Sequence, residues 1–403
     1  MRNLSAIALL TAAGASHAEE VAPGDPFADV APRVSEAAPP APASRLSEFT
    51  RDNFLWRNEV FSQFTLSREA VRTHEGWRSV YSRQSVGFEV QKKFSTTTKT
   101  FLGVDYQGRL VRRDNYKPVT SDLMGADHDG WSYETHNAYA DFYDILNDGG
   151  RLNLRAGRFY VPFGINLYTD THGTLTQLSN ERNFGFDRDW YAGAYGALGD
   201  DFSYDAYYAL GSGADSSMKG QSGLATVRLG TGRRSLYENG LESGFSFLAG
   251  ERVSMDAVMR SPSVMESSRG DSIVRTWRVG PDVRKRFATD AGTVTLTGEF
   301  SAGQDEHDAV LTGLVQADWL SSDRRWGVAA QYRHFWQDIG AGGMGGVTPG
   351  RNESSVIVNA SRYFANDVGN ANIHAVTLGV EQQLERNAGP RDTLFTLQYY
   401  RYW

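Results

Sequence analysis

The reading of this fold turns on one stretch, Leu394-Phe395-Thr396-Leu397-Gln398-Tyr399-Tyr400-Arg401-Tyr402-Trp403. Phe395, Leu397, Tyr399 and Trp403 share one parity, and Thr396, Gln398 and Tyr400 the other. Side chains alternate across a strand with a period of two, so the segment presents one greasy face and one wet one. A single strand of this kind also fits a soluble β-sandwich. Upstream, however, the pattern recurs. Val80, Val86, Phe88 and Val90 oppose Tyr81, Arg83, Ser85, Glu89, Gln91 and Lys93; then Leu102, Val104 and Tyr106 oppose Gly103, Asp105, Gln107 and Arg109. Repetition along the chain points to strand faces that meet lipid, backed by faces that meet water.

About sixteen such segments can be marked, an even number as bacterial outer-membrane barrels require. They fall at 56–66, 79–94, 99–111, 132–145, 151–161, 190–198, 202–210, 222–229, 241–249, 272–286, 292–302, 309–320, 325–336, 353–364, 372–384 and 393–403. Helix-period segments are essentially missing between them. Short turns such as Ser95-Thr96-Thr97-Thr98, Asn147-Asp148-Gly149-Gly150, Gly199-Asp200 and Ser321-Ser322-Asp323 carry hairpin chemistry. Long polar connections near 111–131, 162–189, 249–271 and 337–352 alternate with them. The expectation is an all-β, transmembrane antiparallel β-barrel of about 16 strands, with short periplasmic turns, long external loops and both termini in the periplasm.

The front of the chain agrees. Arg2, the Ala/Leu/Ile run from Leu4 to Ala15 and Ser16-His17-Ala18 read as a cleaved signal peptide over residues 1–18. A Pro/Ala-rich periplasmic tether follows over 19–50, with too little apolar bulk for a core, and the barrel occupies 51–403. No run of about 18 apolar residues could cross a membrane as a helix. Mean hydropathy is −0.45, which suits a barrel because only its outward residues need be apolar. The cysteine count of zero removes Cys-ligated metals, haem attachment and thiol catalysis. The formal charge of −7 gives no support to nucleic-acid binding.

Parity nominates the inner wall: Arg83, Lys93, Arg109, Arg155 and Arg333, with Glu89, Asp105, Asp141 and Glu299. Arg158 is a misfit, because it shares parity with the outward Leu152, Leu154 and Ala156. A lipid-facing Arg at the midplane would cost roughly 2–4 kcal/mol. A bulge at Gly157 that turns Arg158 inward is the favoured resolution, and snorkelling at the interface the other. Trp56, Trp131, Trp190, Tyr191, Trp277, Trp326, Trp336, Tyr363 and Phe364 lie at strand ends, where aromatic girdles form. The eight His residues show no HExxH or close metal-ligand spacing, and no nucleophile elbow is present. The expectation is no enzyme, no cofactor and no metal.

Leu154-Arg155-Ala156-Gly157-Arg158-Phe159-Tyr160-Val161-Pro162-Phe163-Gly164 resembles the strand–Gly–basic–Phe–x–x–Pro–Phe–Gly segment of the phosphate-selective porins and their relatives. Asp187 to Ala194, Phe202 to Gly213, Val279 to Val283, and Leu314 to Arg333 resemble that family's later strand pairs. The resemblance implies a sixteen-stranded barrel, often trimeric, whose long third external loop is folded into the lumen. Here that loop is 162–189, and it nominates His172, Glu181, Arg182, Asp187, Arg188 and Asp189 as a constriction carrying both signs of charge. A family Lys before Pro-Phe is replaced by Tyr160, and the basic loop is reduced to Arg182 and Arg188 beside three acids. The terminal strand, with Tyr399 and Trp403, resembles the outer-membrane assembly signal, in which Trp stands for the usual Phe.

The functional expectation is a passive channel for small hydrophilic solutes, with a weak preference for phosphate or carboxylate anions. The expected partners are outer-membrane lipid and lipopolysaccharide, the barrel-assembly machinery, and further copies in a homotrimer. A structural barrel enclosing a partner in a secretion or electron-transfer complex is the alternative. An outer-membrane enzyme with an acid/base cluster at its rim is the third.

Overall fold

Alternating sequence becomes alternating burial, with the polarity of a water-soluble protein reversed. The computed structural model describes residues 54–403 except 74–79, 97–98, 115–129, 148, 166–173, 177–179, 181–185, 200, 212–222, 232–239, 254–272, 339–350, 368–371 and 386–390. The leader, the tether, and His172, Glu181 and Arg182 therefore lie outside the described residues.

Sixteen strands close one antiparallel barrel. They are β1 (Phe54–Ser67), β2 (Val80–Ser95), β3 (Thr100–Asp114), β4 (Gly130–Phe142), β5 (Asn153–Tyr160), β6 (Arg188–Leu198), β7 (Phe202–Ala209) and β8 (Gly223–Thr231). The second half holds β9 (Gly240–Val253), β10 (Ile273–Thr289), β11 (Gly292–Asp305), β12 (Asp308–Ser321), β13 (Trp326–Gln337), β14 (Arg351–Asp367), β15 (Asn372–Glu385) and β16 (Thr393–Tyr402). Each pairs with its sequence neighbours, and β16 returns to β1. Closure leaves no edge, which is what a sheet in lipid needs, since an unpaired backbone group has no water to satisfy it. Every expected strand is present; several run longer, as in β9 to Val253 and β10 to Thr289. One five-residue helix, α1 (Arg68–Arg72), follows β1, capped by Ser67 Oγ, which accepts from Ala70 N at 3.1 Å.

The turns do what their residues predict. Ser321 Oγ accepts from Arg325 N at 3.1 Å and Trp326 N at 2.9 Å, while Asp323 Oδ1 accepts from Arg325 N at 3.0 Å. Asp290-Ala291 alone joins Thr289 to its partner Gly292, whose φ of +138° suits a residue without Cβ.

The outer face is apolar. Phe64, Val86, Val104, Phe245, Val283, Phe300, Val315, Val328, Leu378, Phe395 and Leu397 are all exposed. Cations on this face lie over aromatic rings at one end of the barrel. Arg362 sits 4.7 Å from the Trp326 ring, Arg401 4.7 Å from Trp403, Lys92 5.8 Å from Phe94, and Lys285 5.6 Å from Phe287. All four cations belong to even-numbered strands near their C-terminal ends, where a charged head can reach water while its stem covers lipid-facing surface. Trp56, Trp131, Trp277, Trp326 and Phe364 are exposed as a girdle requires. Tyr191 is a correction: it is buried and packs inside the barrel on Tyr207, ring centroids 4.4 Å apart.

Candidate functional site: the inner wall

The inward parity carries a lattice of ion pairs. Arg155 grips Asp141 with two parallel bonds, Nε to Oδ1 at 2.6 Å and NH2 to Oδ2 at 2.7 Å. These two lie on adjacent strands in direct register. Arg155 is also surrounded by rings, its guanidinium carbon 4.4 Å from the Phe159 centroid, 4.5 Å from Tyr139 and 5.1 Å from Tyr195. Arg333 donates to Glu381 at 2.6 Å and to Ser355 at 2.6 Å. Arg109 pairs with Glu59 and reaches the His136 ring at 3.0 Å. Arg83 meets Glu134 at 3.6 Å, and Glu89 meets Arg57 at 3.5 Å. Lys93 is half-buried. Asp105 is 2% exposed and faces inward beside the Glu89 carboxyl.

The nominated wall residues thus face inward, but most are held by groups that were not nominated. The missing partners are Arg57, Glu59, Glu134 and Glu381. A second set, on β8 to β11, was missed entirely. Arg228 holds Asp282 at 2.9 and 2.6 Å. Asp305 is shared by Arg252 at 2.7 Å and Arg278 at 2.9 Å. Glu242 is shared by Arg284 at 2.5 Å and Arg286 at 3.5 Å. The signal was available, because Arg278, Asp282, Arg284 and Arg286 share one parity opposite Trp277, Val279, Val283 and Phe287. Such pairing is needed wherever charge is packed this tightly, since a buried charge without a partner costs several kcal/mol.

The bulge lies elsewhere than expected. Register runs through Gly157 without an inserted residue on either side, although its φ is +131°. The irregularity is next door on β4, where Gln107 and Gly108 face Asn137 and Thr135 and His136 is the extra residue. Arg158 is 1% exposed, and its Nε donates to the Thr135 carbonyl at 2.9 Å. The neighbouring strand therefore resolves the misfit by offering a carbonyl that its own bulge leaves available.

The connection after β5 leans inward. Gly164 N donates to Ser246 Oγ on β9 at 3.0 Å, and Ile165 N to Glu299 Oε1 on β11 at 2.9 Å. Thr226 Oγ1 on β8 donates to Pro162 O at 3.1 Å. Further along, Leu175 reaches Gly379 on β15, where a Cβ would lie 2.4 Å from its Cδ1. The root of this connection is fixed by apolar packing, with Val161, Phe163 and Phe186 joining Tyr139, Phe159, Tyr191 and Tyr207 in one buried cluster. Glu299, nominated as open wall, is therefore a support for the connection.

Asp187, Arg188 and Asp189 are spent locally. Arg188 donates to Asp187 at 2.9 Å and to Asn137 at 3.3 Å, bonds the Tyr160 hydroxyl, and stacks 4.0 Å from that ring. Asp189 accepts from Trp190 N at 2.8 Å and Gly211 N at 2.6 Å. Trp403 pairs through its backbone with Asn58, at 2.7 and 3.1 Å, and so completes the seam; Tyr399 pairs with Ser62 on one side and Val376 on the other. No group of three or more potential metal-ligating side chains occurs among the described residues.

No protein-family model and no curated protein matches this sequence. The architecture has solved counterparts nonetheless. OprB of Pseudomonas putida aligns with a TM-score of 0.58 and 8% identity over 89% of this chain and 96% of that one. An anion-selective porin from Comamonas acidovorans gives 0.51 and 8% over 87% and 99%, and OmpT, an outer membrane protein of Vibrio cholerae in its trimer form, gives 0.50 and 9% over 87% and 99%. Fold and comparisons together define the class: a closed, sixteen-stranded antiparallel barrel of the outer-membrane porin architecture. At such identities the likeness is one of fold, and it extends to porins at large without singling out a phosphate-selective member.

Proposed function

We propose that this protein is an integral outer-membrane channel through which small hydrophilic solutes diffuse passively. The observation that carries the reading is a closed barrel with an apolar exterior and an interior lined by cross-strand ion pairs. A soluble barrel would have no use for that inversion, and a hydrated lumen requires it. The inward lean of 161–165 and 174–176 supports a constriction beside those pairs. In keeping with this, residues 1–18 serve as a cleaved leader and 19–50 as a periplasmic tether. The barrel then meets lipid and lipopolysaccharide, is inserted by the assembly machinery through the strand ending at Trp403, and associates as a trimer. Refolded protein in a planar bilayer should give discrete steps of ion current; a barrel that inserts but seals would overturn the proposal.

A weak anion preference is the finer reading. Glu134, Asp305 and Glu242 are each bonded by two arginines, which sets a high density of guanidinium groups on the inner wall, the groups best suited to phosphate or carboxylate solutes. Arg284 is the more accessible member of its trio, its side chain 11% exposed against 2% for Arg286. Across a salt gradient, Arg284→Ala should move the reversal potential toward cations, while Arg155→Ala, buried and paired, should leave selectivity nearly unchanged. An unaltered potential in Arg284→Ala would remove the anion preference.

A further inference from the structure

The charged lattice stops short of one sector. Across β14, β15, β16 and β1 the inner face reads Ser361–Thr377–Gln398–Gln63 in one row and Asn359–Gly379–Thr396–Thr65 in the next, with each neighbour in direct register. No formal charge occurs in either row. The flanking charges are paired: Glu381, two residues beyond Gly379, is bound to Arg333 at 2.6 Å, and Arg83, opposite Gln63, meets Glu134 at 3.6 Å, a carboxylate it shares with Arg113. The hydroxyls also satisfy one another, Ser361 with Thr377 at 2.8 Å and Thr65 with Thr396 at 3.0 Å.

The amides are the exception. Gln398 is 1% exposed and Asn359 6%, yet Nε2 and Oε1 of Gln398 and Nδ2 of Asn359 have no hydrogen-bond partner among the described residues. Buried unpaired polar groups of this kind cost free energy until something pairs with them. Gly379 lies between the two, diagonally across β15, and its missing side chain leaves a cradle. Two strand spacings and a two-residue offset put the Cα atoms of Asn359 and Gln398 roughly 12 Å apart, the span of a sugar-sized molecule. The cradle is filled by Leu175, whose Cδ1 stands 2.4 Å from where a Gly379 Cβ would be. A leucine fits the space but can pair with none of the three polar atoms.

We propose that Asn359, Gly379 and Gln398 form a binding cradle for a neutral, polyhydroxylated solute, and that Leu175 is the chain's own occupant, which that solute displaces. Two donors and an acceptor match hydroxyl groups, which both give and accept hydrogen bonds. Neither row carries a formal charge, so an ionic solute finds no counter-charge within the cradle itself. Displacement of Leu175 would exchange an apolar contact for paired amides and would open the contact between the β5–β6 connection and the far wall. The proposal rests on the channel reading only in needing solute to reach the lumen.

The test uses the full chain folded in detergent, with myo-inositol as the neutral probe and inorganic phosphate as the charged one, both followed by ligand-observed NMR and calorimetry. Leu175→Ala should tighten myo-inositol binding several-fold and leave phosphate binding unchanged. Asn359→Leu and Gln398→Leu should each weaken it by about tenfold, the loss expected for a hydrogen bond worth 1.4 kcal/mol. Circular dichroism and heat-modifiable gel mobility establish that each variant is folded. Equal myo-inositol affinity in all four proteins, or weaker binding in Leu175→Ala, would overturn the proposal. Current steps without myo-inositol binding would sink the cradle and leave the channel standing. Binding with this mutational pattern in a barrel that does not conduct would uphold the cradle and sink the channel.

Discussion

Asp141→Ala isolates the cost of leaving a lumen arginine without its carboxylate. Arg155 and Asp141 side chains are 3% and 1% exposed, and their bidentate bonds are 2.6 and 2.7 Å long. Removing one member of a buried pair typically costs about 3–5 kcal/mol, because the survivor remains a charge out of water. The three rings around Arg155 stay in place in this variant and continue to attract it, by up to about 2 kcal/mol for a desolvated cation. The expected loss is therefore about 3 kcal/mol. Arg155→Ala should cost more, about 5 kcal/mol, since it abolishes the ring contacts, opens a void among Tyr139, Phe159 and Tyr195, and leaves Asp141, among the described residues, only the Tyr143 hydroxyl at 3.4 Å. Replacing both by leucine should cost far less than the sum, as apolar exchange of buried pairs often does. Urea unfolding of micelle-folded protein, read by tryptophan fluorescence and linear extrapolation, gives all three values. A loss below about 1 kcal/mol in Asp141→Ala, or strict additivity in the double variant, would refute the claim that this pair is buried and coupled.

Gly157→Ala should destabilise the barrel by about 2–4 kcal/mol in the same assay, because its φ is +131° and the added Cβ would lie 2.2 Å from the Ala138 carbonyl oxygen. Deleting Trp403 removes two backbone bonds to Asn58 and should cost about 2 kcal/mol, with a lower yield of folded barrel in vesicle insertion; an unchanged yield would count against its role in assembly. Asp323, in the β12–β13 turn, is held below the usual carboxylate range by the Ser321 hydroxyl and then by the Arg325 backbone N–H. Its depressed folded-state pKa means that its stabilising contribution is present above the unfolded pKa and lost as pH falls through the folded one. An NMR titration should place this carboxyl higher in Ser321→Ala, and an unshifted midpoint would show that the hydroxyl is not its partner.

Strands were legible because the period of two survives in single residues. Val80 to Phe94 announces its inward face without reference to any other segment. Partnership was not legible, because it depends on register between strands distant in sequence. Arg228 and Asp282 are 54 residues apart, with β9 between their strands, and nothing local in either segment names the other. The same limit explains the misplaced bulge. Glycine drew attention to position 157, whereas the inserted residue was His136 on the adjacent strand, where neither Gly nor Pro marks the place. Tyr191 was assigned to the lipid boundary by its position near a strand end, and parity with Gly193 and Tyr195 would have sent it inside. The wall was thus half visible: which residues face inward could be read, but not which of them would remain available to a solute once the pairs had formed.

The seam between β1 and β16 carries a kinetic implication. Arg57 and Tyr402, in hydrogen-bond contact at 3.3 Å, are separated by 345 positions, and Asn58 exchanges both of its backbone bonds with Trp403. Until the final strand arrives, the sheet must present two long unpaired borders, whatever fraction of its hairpins has formed. Such borders invite association with other chains, and contacts this remote in sequence form slowly. Any half-built barrel therefore carries those borders, and its vulnerable interval lasts until the ring is shut.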